Sequence, residues 1–308
     1  MNINTSSIEK YVDQISFKQE LYLFFSRFEK THTQVAGAHF QNLILSFIDD
    51  LTTPIDLVYF FQFIRKNIGG TKKNPTTEGI VLFDEIFKKI IAKKRKIFQS
   101  YTWSSKYIGS LFHNLRNFQN IPIEFFEDMT TLIEGINHWS GTHISEILRT
   151  IEPYRNTNHG RLLLYVIGDK ILSMNMELQS FSVVQSLIIN LEHLDVEIPD
   201  TLLNRWNHLQ NEEGEKNSTP TQYEDGIFNT ILKDTDTFDG FSLERNIFIC
   251  GYEVDIVVYD TQGDIFAIIE SDGTAHQKAS KTRNKDKKRD ALFFRRGITD
   301  TIIRCTNQ

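Results

Sequence analysis

Cysteine is almost missing from this chain of 308 residues: Cys250 and Cys305 are the only two. Two thiols make neither a disulfide framework nor a thiolate zinc site, so a reducing compartment is the expected setting. Proline is scarce too, at six, and glycine numbers 16, so few residues break helices and long helices are expected. No run of about 18 apolar residues occurs, which excludes a membrane-spanning helix from the expectation. There is no excess of positive charge: 34 basic residues stand against 40 acidic, a net −6, unlike a globally basic nucleic-acid binder. The opening MNINTSSIEKYVDQ has neither a positive segment nor an apolar one, so no cleaved signal peptide is expected. The default location is cytoplasmic, and delivery to another compartment or cell by a different signal stays open. Also missing are HExxH, a phosphate-binding GxxxxGK[ST], GxGxxG and GxSxG, so ATP, dinucleotide and esterase chemistry have no support.

What the chain has is apolar residues, 40% of the total with 24 Phe among them, set in two patterns. Up to residue 210 they follow a helical period. Leu21, Phe24, Phe25 and Phe28 share one helix face, as do Phe60, Phe61, Ile64 and Ile68, and Leu187, Ile188, Leu191 and Leu194. The short stretches FSRFEK, QFIRKN, HNLRNF, LRTIEP and INLEHL recur at intervals near 38 residues, one longer interval containing AKKRKIFQSYTW. Each precedes a second amphipathic segment. This reads as about five helix pairs over residues 1–210, a helical-repeat solenoid whose stacked pairs offer one long concave surface to an extended polymer or peptide. An irregular bundle of helices of average length is the alternative. Residues 211–222, NEEGEKNSTPTQ, hold no apolar side chain and read as a linker.

From Tyr223 onward the order reads helix, three strands, helix, strand. The strands are FSLERNIFI, YEVDIVVYD, DIFAIIES and TDTIIRC, with turns expected at Cys250–Gly251 and at residues 260–263. Folding the second hairpin about residues 261–262 puts Asp255 opposite residues 268 to 270, and strand alternation puts Glu270 and Asp272 on one side. Asp255 lies in a β-branched run that should be interior. A buried carboxylate demands a cation, a basic partner or protonation. A hard divalent ion, Mg²⁺ or Mn²⁺, held by Asp255, Glu270 and Asp272 would meet that demand and suit phosphate chemistry. Acidic residues at strand ends and turns, with no ligand at all, are the plainer alternative.

The residues Glu253-Val-Asp-Ile-Val-Val, then Ile-Ile-Glu-Ser-Asp-Gly-Thr-Ala-His276, then Lys-Lys-Arg-Asp-Ala-Leu followed by Arg-Arg-Gly297, resemble a RAP domain. Such domains are similar to the PD-(D/E)XK nuclease superfamily, in particular its Vsr-like branch. RAP domains typically follow octotricopeptide repeats of about 38 residues, which matches the helical part. The resemblance implies a restriction-endonuclease-like α/β domain over residues 223–308 and a role in RNA binding, processing or stability. It further implies that Asp255 and Glu270 are metal ligands and that Glu224, on the leading helix, is a further acid. Asp272 stands where many members have lysine, a departure that puts the usual charge stabiliser in doubt. Lys287 or Lys288 could substitute from the following helix. His276 could orient a water or contact phosphate, or be a hydrogen-bonded turn residue.

Two basic runs point to a polyanion. Lys278 to Arg296 carries nine basic and two acidic residues, with Lys278, Lys281, Arg283, Lys285, Lys287, Lys288 and Arg289 the expected backbone contacts. Lys93, Lys94, Arg95 and Lys96 precede Phe98, Tyr101 and Trp103, residues that could stack bases or fill a core. The expected partner is RNA, single-stranded for preference, with metal-dependent cleavage as the expected reaction. A non-catalytic RNA clamp, a protein-binding solenoid and a DNA endonuclease are the rivals.

Overall fold

The computed structural model describes residues 45, 48–49, 51–67, 77–100, 103–116, 118, 120–217, 221–234, 239–272 and 280–306. The chain divides into two compact units, Met1–Met174 and Asn175–Gln308. The described residues of the first unit are mainly helical, and those of the second carry a small mixed sheet as well as helices. No helix among the described residues is long and apolar enough to cross a membrane.

In the first unit the elements are α1 (Pro54–Asn67), α2 (Thr77–Ser100), α3 (Ser105–Leu115), α4 (Ile123–Glu134), α5 (Gly141–Ile151) and α6 (Asn158–Leu172). Their ends follow the capping residues. Ser104, Ser140 and Thr157 each accept a backbone N–H from the first turn of α3, α5 and α6. Pro122 precedes α4, where a missing N–H costs little. α3 packs beside α1 and α5, and α4 beside α2 and α6, so odd-numbered and even-numbered helices gather separately. Three bonds tie positions 36 to 38 residues apart: Thr150 Oγ1 to the carbonyl of Phe112, Tyr154 Oη to that of Phe118, and Lys170 Nζ to that of Glu134. The core is aromatic, with Phe61, Phe87, Phe112 and Phe125 fully buried and in mutual ring contact through Phe118 and Phe98. The expected helical segments near Phe28 and Phe40 lie outside the described residues, apart from Leu45, Ile48 and Asp49, which are helical.

The second unit begins with α7 (Phe181–Leu194) and α8 (Asp200–Asn217), followed by α9 (Gln222–Lys233), β1 (Ser242–Ile249), β2 (Tyr252–Tyr259), β3 (Ile265–Asp272), α10 (Ser280–Arg295) and β4 (Ile302–Thr306). α8 runs through the first seven residues of the segment expected to be a linker, because a wholly polar stretch suits a solvated helix as well as a loop. The compact unit also starts earlier than the change in composition. α7 belongs with the sheet: Ile189 packs into its core, Gln185 Nε2 donates to the Gly251 carbonyl at 3.0 Å, and His193 Nε2 lies 2.8 Å from Tyr252 Oη. Trp206 of α8 packs edge-on against Phe248.

The sheet order is β1-β2-β3-β4, antiparallel except for the parallel pair β3–β4. Both faces are covered. Ile227, Phe228 and Ile231 of α9 pack on Ile256, Val258, Ala267 and Ile269, while Leu292 and Phe293 of α10 pack on Tyr252, Val254, Val257 and Ile268. Cover on both sides explains why β2 and β3 read as nearly continuous apolar runs rather than alternating ones.

Candidate functional site

The alternation in β2 slips at Asp255. Val254 and Val257 join one core cluster and Ile256 and Val258 the other. The β1–β2 ladder skips the same place, passing from Arg245↔Ile256 to Ile247↔Val254, and the bypassed Asn246 sits in the left-handed region at φ 54°. Asparagine is one of the few residues that tolerates that conformation. On the other side the β2–β3 ladder reaches Ile256↔Ile269, so residues 255 and 270 are the next opposed positions. There the side chain takes over from the backbone: Asp255 Oδ2 accepts the N–H of Ser271 at 2.6 Å.

Glu270 is the buried member, at 9% exposure, whereas Asp255 is half-buried. The β-branched run led to the expectation that Asp255 is interior; it lies instead at the break in the ladder, while position 270 lies under α10, where Arg289 meets it. Burial drives the pKa of Glu270 up to about 7; the Arg289 guanidinium opposes the rise and the charge of Asp255 adds to it. Arg289 Nη1 lies 3.0 Å from Glu270 Oε1, an ion pair without good hydrogen-bond geometry, since that buried oxygen has no hydrogen-bond partner. Arg289 also reaches Asp290, which Arg304 of β4 binds at 2.7 Å.

Glu224 lies in the first turn of α9, where its carboxylate accepts the N–H of Thr221 at 2.9 Å in a reciprocal capping box. Its other oxygen receives Ser271 Oγ at 3.3 Å. Ser271 thus binds Asp255 through its amide and Glu224 through its hydroxyl. Glu253, also on β2, has its pKa raised by burial and by the charges of Asp255 and Glu224. The expected acids at 224, 255 and 270 therefore gather at one end of the sheet. Asp272 closes β3 in register with Thr306, and its side chain lies outside the described residues. Among the described residues no group of three or more His, Cys, Asp or Glu side chains is arranged to hold a metal ion.

No family model, curated protein or solved structure matches the chain.

The basic run divides on inspection. Lys285, Lys287 and Lys288 are exposed on α10. Arg289, expected among the backbone contacts, is buried at 6% exposure and serves Glu270 instead; its place three and four residues before Leu292 and Phe293 turns it to the core. The side chains of Lys281 and Arg283 fall outside the described residues, as do His276 and Lys278 entirely. In α2, Lys93 pairs with Asp49 at 3.0 Å and Arg95 with the buried Asp128 at 3.0 Å; Lys96 is exposed, and the side chain of Lys94 is outside the described residues. Phe98 and Trp103 stack on each other in the core, with Trp103 Nε1 donating to the Ile97 carbonyl, so neither offers a face to a base. Tyr101 lies outside the described residues.

Sequence reasoning missed Ser271, Glu253 and the Asp290–Arg304 pair. The last depends on the parallel register Glu270↔Arg304, which no local pattern announces.

Proposed function

We propose that the chain is an RNA-binding protein whose C-terminal unit is a nuclease-like domain of the RAP kind, cleaving phosphodiesters with a divalent metal. The observation that carries this reading is the opposition of Asp255 and Glu270 across β2 and β3, close enough for one charge to disturb the other. The four-stranded mixed sheet with a helix on each face is compatible with a restriction-endonuclease-like frame. The bonds linking positions 36 to 38 residues apart support repeated helix pairs in the first unit.

Two carboxylates suffice for Mg²⁺, which keeps most of its waters and completes its shell with substrate phosphate. Glu270 Oε1 is buried without a hydrogen bond of good geometry, and burial raises the pKa of its carboxyl; a divalent ion would relieve both. Asp255 and Glu270 would hold it, with Asp272 and Glu224 in support. A bound divalent ion would polarise a phosphoryl oxygen and acidify a water. The chain's own residues supply the rest. Ser271 fixes the Asp255 carboxylate, and Glu224 holds Ser271 in turn. Lys285, Lys287 and Lys288 give α10 a cationic face for the sugar-phosphate backbone.

One observation favours a second reading, a clamp that binds RNA without cutting it: Arg289 already meets Glu270 with positive charge. A cleavage assay on single-stranded RNA with Mg²⁺ or Mn²⁺ separates the two. The expected outcome is metal-dependent cutting, lowered about a hundredfold or more by Asp255→Ala and by Glu270→Gln, with RNA binding kept. RNA binding that is equal with and without EDTA, and no cutting by any of the three proteins, establishes the clamp.

A further inference from the structure

The helix α6 buries one side only. Leu163, Val166, Ile167 and Ile171 are buried, and the helix lies beside α4 and α5. The opposite side holds a line of a different kind. Asn158, Leu162, Tyr165, Asp169 and Leu172 follow one another at steps of 4, 3, 4 and 3. All five are exposed, Leu162 at 50%, Tyr165 at 71% and Leu172 at 58%. Single apolar side chains on a surface need no account. Three large ones in heptad order do, because that spacing is the seam by which one helix packs along another. Gly168 flanks the seam, and a Cβ there would meet nothing within 4 Å, so a second backbone has room to come close.

The order of residues along the seam decides what fits it. Leu162 and Leu172 lie toward the two ends, with Tyr165 and Asp169 between them. A second α6 running antiparallel sets each Leu162 against Leu172 of the other copy. The same register sets each Tyr165 against Asp169 of the other copy, where the phenolic hydroxyl can donate to the carboxylate. Both contacts then occur twice, as a two-fold axis requires. A parallel copy would set Asp169 against Asp169, two like charges in the middle of the seam. The charge pattern therefore selects one direction.

We infer that the chain pairs with a second copy of itself through α6, antiparallel, with Leu162 on Leu172 and Tyr165 on Asp169. The contact is a single helix on a single helix, at the small end of specific interfaces, so a Kd on the order of 10–100 µM is expected. The inference does not depend on RNA binding or on the carboxylates at 255 and 270; either can fail while the other stands.

Sedimentation equilibrium of the full chain from about 1 to 200 µM tests it. The expected result is a mass rising from one chain toward two. Leu162→Lys and Leu172→Lys change exposed positions, so the thermal midpoint of the dilute chain stays where it was while association weakens about tenfold or more. Direction is read by mixing Leu162→Cys chains with Leu172→Cys chains under mild oxidation. Peptide mass mapping should find a 162–172 disulfide between chains. Two copies of residue 172 lie about 15 Å apart along the seam in this register and should not link. A chain that stays monomeric at every concentration overturns the inference and leaves the seam to an unlike protein. A dimer that both lysine variants form as tightly as the original overturns it too, as does a link at 172–172 in place of 162–172.

Discussion

Within the basic run of α10, Arg289 turns its guanidinium inward onto Glu270 and lies 5.9 Å from the ring centre of Phe293. A buried ion pair contributes less than its geometry suggests, but loss of one partner strands the other. Arg289→Met should cost about 3 kcal/mol at pH 8, where Glu270 is ionised. The sign reverses the usual carboxylate pattern. Glu270 titrates above its ordinary value in the folded chain, so protonation favours folding, and that contribution is complete at low pH and fades as pH rises through about 7. Removing the guanidinium lifts the pKa further, so the loss should shrink at pH 5. Urea unfolding at the two pH values checks this; an equal loss at both would show that Arg289 acts by packing alone. The opposition of Asp255 and Glu270 was legible to within two residues: counting from a turn at 261–262 gives residue 268, and the irregularity between Val258 and Tyr259 moves the partner to 270. Which basic residue faced inward was legible only in part. The spacing to Leu292 and Phe293 carries that signal, but Arg289 was expected with the rest of the run to contact the sugar-phosphate backbone.

The hairpin joining β1 and β2 shows the same logic one level up. Cys250 and Gly251 sit at φ 50° and 79°, the pair of left-handed residues that a two-residue turn with the twist of the strands requires. Gly251 is further confined by α7, since a Cβ there would meet Ile189 Cγ1 at 2.8 Å. Gly251→Ala should therefore lose about 1–2 kcal/mol from the backbone, with the close contact adding to it. Thermal unfolding checks the loss, and an unchanged midpoint would mean the turn re-forms at no cost. Strands, turns and helix starts were readable because glycine, serine, threonine and proline mark them. The course of α8 was not, because polarity distinguishes exposed from buried, not helix from loop.

At the scale of the molecule, composition changes near residue 211 but compactness changes at residue 174. Helical periodicity identified α7 and α8 correctly as helices, and could not say that they cover a sheet. A fragment of residues 175–308 should unfold in one cooperative urea transition. A fragment of residues 223–308 should not, because it lacks the surfaces packed on Tyr252 and Phe248. Equal cooperativity in both would place the boundary where the composition changes.

Arg295 and Arg296 fasten α10 to the end of α7, donating to the carbonyls of Glu192 and His193 and pairing with Glu192 and Asp195. A helix held in this way is part of the sheet's own support, so any chimera that grafts the sheet onto foreign helices must bring α7 with it.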